Sequence, residues 1–141
     1  MQPMENAEAR AQAEVAARLD EIMAAAEARD VDQLESYHQF GPRYTKFDDW
    51  EPLERQDAAT ARTLEREAIS GADGLETQIE DLKVDVFGAT AVATFVFAYS
   101  FSAGDGRMAV RARSTLVLVR DDERGWLIVH EHFSPFSPQQ G

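Results

Sequence analysis

The stretch from Arg111 to Phe136, RARSTLVLVRDDERGWLIVHEHFSPF, most constrains what this chain can fold into. Two apolar runs, Leu116 to Val119 and Trp126 to Val129, flank a charged turn over Asp121 to Gly125, the pattern of a β-hairpin. The second run ends in His130, Glu131, His132, Phe133 and Ser134. A chain that carries this pattern builds an antiparallel sheet, and the residues upstream must cover it. The period of two begins near Gln78. Ile79, Leu82, Val84, Val86 and Phe87 predict a strand that turns at Gly88, and Ala91 to Phe101 predict a long one. Ala103-Gly104-Asp105-Gly106 is a hairpin turn, and Met108 to Arg120 forms the return strand.

Upstream the period is helical. Asn6 to Arg29 is rich in alanine, glutamate, arginine and glutamine, all strong helix formers. Val15, Leu19, Ile22, Met23 and Ala26 give it one apolar stripe. Asp30 stands at an N-cap position with Gln33 three residues on, predicting a second helix from Val31 to His38 that Gly41-Pro42 stops. Arg43 to Phe47 alternates and reads as an edge strand, and Asp48 to Pro52 as a loop. Asp57 caps a third helix, Ala58 to Ser70, with Ala61, Leu64, Ala68 and Ile69 facing inward, and Gly71 and Gly74 end it. Three helices followed by a meander predict an α+β domain. At 141 residues the chain is expected to form a single domain, 1–141, with 1–5 and 137–141 frayed.

Charge excludes some partners. With 26 acidic against 14 basic residues the net charge is −12, a field that repels phosphate backbones, so no nucleic acid is expected. It fits a salty cytoplasm as well as an ordinary acidic protein. Without cysteine there are no disulfides, thiolate nucleophiles or cysteine metal sites. No apolar run approaches the roughly 18 residues of a membrane span, and Met1 to Arg10 lacks a secretory pattern, so a cytoplasmic location is expected. No phosphate-cradling glycine loop and no G-x-S-x-G occurs, and the acidic turns lack calcium-loop spacing.

The Ala91–Phe101 strand is apolar on both faces. One face packs on the helices. No helix remains for the other, so a second copy of the chain is expected there, in a homodimer through sheet faces. An even turn after Ser102 pairs Tyr99 with Val110 and Ala98 with Arg111, and the last turn sets Thr115 near His130 and Arg113 near His132. The inner face then carries Phe95, Phe97, Tyr99, Val110, Leu116, Leu118, Val129, Glu131 and Phe133. The outer one carries Val96, Arg113, Thr115, Ile128, His130 and His132. A carboxylate such as Glu131 in an apolar pocket has a raised pKa and serves as base or acid; alternatively it pairs with an arginine and is structural. His130 and His132 share a face as metal ligands would, with Asp48, Asp49 or His38 as conceivable partners. No third ligand has recognisable spacing, so no metal is expected, and Arg113, Thr115, His130 and His132 read as a hydrogen-bonded dimer surface. The run Tyr44 to Trp50 carries more functional groups than a connector needs and fits a pocket rim.

The element order, with Arg113 to Thr115, Leu116 to Val119 and Gly125 to Ser134 (GWLIVHEHFS), resembles the nuclear transport factor 2-like superfamily. Within it the residues are most similar to the SnoaL-like branch, akin to the association domain of calcium/calmodulin-dependent kinase. The resemblance spans about Ala13 to Phe136. It implies a cone: a curved antiparallel sheet wrapped around about three N-terminal helices, with a pocket at the open end. Members include ketosteroid isomerases, cyclases, dehydratases, binding proteins and oligomerisation modules, so fold alone does not settle activity. The second acid of the isomerase oxyanion hole falls at about Leu116, an apolar residue here, so that mechanism does not carry over. Its base falls within Tyr44 to Asp49, where Asp48 or Asp49 answers it. The expectation is a protein that binds a small apolar molecule between walls Trp50, Phe97, Leu116 and Phe133. If it is an enzyme, it performs cofactor-free isomerisation, cyclisation or dehydration with Glu131 or Asp48 as base and Tyr44 or Tyr99 as donor. The rival is a non-catalytic ligand-binding or oligomerisation module.

Overall fold

Helix formers and apolar stripes dictate the first layer. In the computed structural model, which describes residues 3–136, α1 spans Pro3–Glu27, α2 Val31–Ser36 and α3 Ala58–Ser70. The fraying expected at residues 1 and 2 and at 137–141 lies outside the described residues. Residues 3–5, expected to fray, are helical, and Pro3 suits a first turn where its missing N–H costs nothing. The strands are β1 (Thr45–Phe47), β2 (Glu76–Phe87), β3 (Thr90–Ala103), β4 (Gly106–Asp121) and β5 (Gly125–Pro135). They form one open, curved sheet in the order β1-β5-β4-β3-β2, antiparallel except that edge strand β1 runs parallel to β5. Together with the helices this is the α+β cone.

The concave face of the sheet meets the α1 stripe. Val15, Leu19 and Ile22 pack with Ala91, Ala93, Phe95, Leu116, Leu118 and Ile128, all buried. Alanines at 91 and 93 let the helix approach closely, and each fully buried Leu or Ile stabilises the fold by about 1.5–3 kcal/mol. Each free edge is contacted in part. On β2, Gln12 Nε2 donates to the Val84 carbonyl (3.1 Å), and the Thr77 amide donates to the Glu27 carboxylate (2.7 Å). On β1, Lys46 pairs with Gln56 by backbone bonds in both directions. Among the described residues no helix is long and apolar enough to cross a membrane.

Several elements differ from the sequence expectation. Helix α2 ends at Ser36 rather than His38, because the chain leaves to bond β5: Ile128 N donates to Tyr37 O and Gln39 N to Ile128 O, making His38 a bridge partner of Ile128. Asp30 caps α2 by accepting from Gln33 N, but the Gln33 side chain donates to Tyr37 Oη instead of closing the box. On α3, Ala68 is exposed, and Glu65, one turn after buried Ala61, turns inward. The β3–β4 register pairs Tyr99 with Val110 and Ala98 with Arg111, as expected. The β4–β5 register is two residues off: Thr115 lies opposite His132, Arg113 opposite Ser134 and Val117 opposite His130. One residue of that error arises at the turn, where Asp121 pairs with Gly125. The other arises at a bulge that leaves Val129 without a partner. The two slips restore parity beyond the bulge, so Glu131 faces inward as expected. Ile128 precedes the bulge and is a buried core residue, not part of the outer face.

Candidate functional site

Where β5, β1, α3 and the exit of α2 meet, charged side chains converge. Strand β5 contributes Glu131, and β1 sets Lys46 directly beside it in register. Tyr44 enters just before β1, His38 from the α2 exit and Glu65 from α3. His38, Tyr44, Lys46 and Glu131 are each at most 7% exposed. His38 donates through Nδ1 to the Leu34 carbonyl (2.9 Å), and its Nε2 stands 3.2 Å from Glu131 Oε2 and 3.6 Å from Glu65 Oε2. Tyr44 donates its hydroxyl to the same Glu131 oxygen. Lys46 Nζ lies 4.0 Å from Glu65 and 3.6 Å from Asp48, over the ring of Phe133. Phe40 stacks on His38, with ring centroids 4.6 Å apart, and closes the cluster.

Burial opposes every charge here, so the neighbours decide. Burial pulls His38 down, but the Glu131 and Glu65 charges outweigh it and lift the imidazole to about 9. Burial pushes Glu131 up, yet Lys46 and His38, with hydrogen bonds from His38 and Tyr44, bring it below the usual carboxylate range. Glu65 goes the other way: burial and the Glu131 charge raise it against the pull of His38 and Lys46. Burial and Glu131 also raise the Tyr44 phenol. Two groups are left over. Glu65 Oε1 and both side-chain amide atoms of Gln56 are buried with no hydrogen-bond partner.

A second cluster, called the rim cluster, lies nearer the surface beside half-exposed Trp50. Trp50 Nε1 donates to Tyr99 Oη (2.8 Å), which donates in turn to Asp49 Oδ2 (3.2 Å). Burial first, then Asp48 beside it, pushes Asp49 up to about 6. Phe97, Tyr99 and Phe101 stack along one face of β3, and Phe133 adjoins Phe97. The two clusters are linked: Asp48 bonds Asp49 and pairs with Lys46, which faces Glu65 and Glu131. A line of polar groups therefore runs from the exposed indole to His38.

The sequence candidates separate between these clusters. Glu131 and Tyr44 touch each other in the buried layer, while Asp48 and Tyr99 belong to the rim. Glu131 pairs with a histidine and a tyrosine rather than an arginine. Trp50 is half-exposed, Phe97 and Phe133 are partly buried, and Leu116 is sealed in the core. Arg113, Thr115 and His132 line a depression of about 650 Å³ on the outer face with Thr94, Val96 and Ser134. His130 instead bonds Thr45 (2.8 Å). A second cavity, of about 490 Å³, lies between α1 and the β4–β5 turn, beside Arg18 and Trp126. Glu65, Lys46 and Gln56 were not legible as site residues. The one available signal was Glu65 standing four residues after Ala61 on the buried stripe.

Residues 15–138 match the profile of the SnoaL-like domain. No functionally curated protein matches the chain. Among solved structures, the chain is similar to the CaMKII hub of S. rosetta, with 27% identity and a TM-score of 0.74 over 87% of this chain and 95% of the hub. The association domain of C. elegans CaMKII shares 15% identity, with a TM-score of 0.76 over 92% of this chain and 98% of that one. A nuclear transport factor 2-like superfamily protein from Salmonella enterica shares 16%, with a TM-score of 0.78 over 94% and 96%.

Proposed function

Because the chain belongs to the SnoaL-like domain family, we propose that it binds a small, largely apolar molecule at the open end of its cone and moves a proton on it. The observation that carries this reading is the rim cluster, where Asp49 titrates near 6 beside a tyrosine donor and an exposed indole. A carboxyl poised near working pH exchanges protons more effectively than one at its ordinary value. Asp49 or its neighbour Asp48 acts as the base; the Tyr99 hydroxyl, which donates to Asp49, turns to developing oxyanion charge once Asp49 has taken up the proton; and Trp50, Phe97 and Phe133 form the walls. Isomerisation, cyclisation and dehydration all begin with such a proton removal, and none of these roles needs a cofactor. Glu131 and Tyr44 act as positioning residues. Through Lys46 they fix the charge beside Asp48, and their own hydrogen bonds are already taken.

Native mass spectrometry of the purified protein tests the reading. An organic molecule retained by the wild type and lost from Trp50→Ala and Tyr99→Phe supports it. Retention by both variants removes the rim from the binding site, and turnover of that molecule unchanged in an Asp48→Asn/Asp49→Asn double variant removes the proton transfer.

A second reading has its own support, the 27% identity to a CaMKII hub across nearly the whole hub. In that case the chain is an assembly module, a homodimer or larger ring joined through sheet faces. A defined oligomer that carries no ligand favours it.

A further inference from the structure

Among the described residues, His38, Glu65 and Glu131 offer ligand atoms that lie within 4.8 Å of one another. They come from the α2 exit, α3 and β5, so no sequence spacing announces them. We propose that these three side chains form a buried site for one divalent transition-metal ion of the zinc type.

Three observations carry the assignment. Bonds of about 2.0–2.2 Å at tetrahedral angles hold ligand atoms roughly 3.3–3.5 Å apart. His38 Nε2 stands 3.2 Å from Glu131 and 3.6 Å from Glu65. The imidazole is already oriented as a ligand, because Nδ1–H donates to the Leu34 carbonyl and points Nε2 at the two carboxylates. The site also contains unanswered polar atoms. Glu65 Oε1 has no partner, and Gln56, 3% exposed, leaves both amide atoms unpaired. Gln56 lies opposite Lys46 across the β1 edge, so its side chain shares the face from which Lys46 reaches Glu65. Its amide oxygen is of the right chemistry for a fourth ligand.

In the metal-free chain the balancing charges are a proton on His38 and the Lys46 ammonium. The ion replaces that proton, and Lys46 keeps Asp48. Imidazole with two carboxylates selects a zinc-like ion over calcium or magnesium, which take oxygen ligands alone. The site is closed by Phe40 and Tyr44, so the ion is structural, and the inference stands independently of chemistry at the rim.

The test uses the full chain, stripped by chelator and titrated with Zn²⁺ by calorimetry, with Co²⁺ as a spectroscopic probe. One ion per chain is expected, together with the intense visible bands of tetrahedral Co²⁺ and a rise in melting temperature. Glu65→Gln, which keeps shape and removes charge, and His38→Gln should each weaken binding at least tenfold. A His130→Gln/His132→Gln double variant should bind as wild type. Absence of stoichiometric binding overturns the site, as does binding that survives Glu65→Gln and disappears with the two surface histidines.

Discussion

Lys46 shows how much a single side chain can carry in this fold. The residue is 7% exposed, its ammonium faces Glu131, Glu65 and Asp48, and burial pulls its pKa down while those three acids raise it overall. Removing one member of a buried charge set leaves the others uncompensated, at about 3–5 kcal/mol. Lys46→Met is therefore expected to lower the free energy of unfolding by that amount in a denaturant titration, whereas Lys83→Met, on an exposed pair with Asp85, should change it by under about 1 kcal/mol. Asp49 supplies a pH prediction. Its folded pKa, about 6, lies above the ordinary 3.8, so the folded state holds the proton more tightly. Its contribution to stability is fullest in acid and falls as pH rises from 3.8 through about 6. Trp50 fluorescence should follow this proton through Tyr99 with a midpoint near 6, and Asp49→Asn should flatten the curve. Glu131 was legible as an inward-facing polar exception, with Tyr99, on an apolar strand face; that its pKa falls instead of rising was not, because Lys46 and His38 reach it from other elements. Glu65 was not, because a glutamate on a helix stripe reads as solvated until a buried partner is known.

At the scale of elements, helix N-caps were legible from residues a few positions apart, although the Gln33 side chain went to Tyr37 instead of closing its box. Asp57 accepts from Thr60 N (2.9 Å) and begins α3 where its cap position requires. Asp57→Ala should lower the melting temperature, while Asp57→Ser should restore most of the loss. The Gly104-Asp105 turn likewise fixed the β3–β4 register from sequence. The β4–β5 register was not legible at two points: at the turn, where Asp121 and Gly125 pair around a three-residue loop, and at the Val129 bulge, which leaves no local signature. Helix α2 ended early for a related reason: its last predicted turn gives its backbone to Ile128, a partner ninety residues away.

For the whole molecule, the order of helices and strands and the resemblance they support predicted the cone. Contacts between distant elements remained hidden, and the buried charge cluster consists entirely of such contacts. The outer face of β3 and β4 carries Val96 opposite Arg113 above an open depression. If copies meet through this face, Val96→Glu, adding to a net charge of −12, should shift the sedimentation coefficient to that of a monomer. An unchanged assembly would move the interface elsewhere. The sheet margins add a constraint of their own. An open sheet with bare margins can be lengthened indefinitely by further strands, the route to fibrils. Here α1 has seized an amide and a carbonyl of β2 with Glu27 and Gln12, and Gln56 has closed off β1. A strand arriving at either margin must first displace these contacts, so the molecule resists end-to-end sheet growth at the positions where a neighbour would begin to pair.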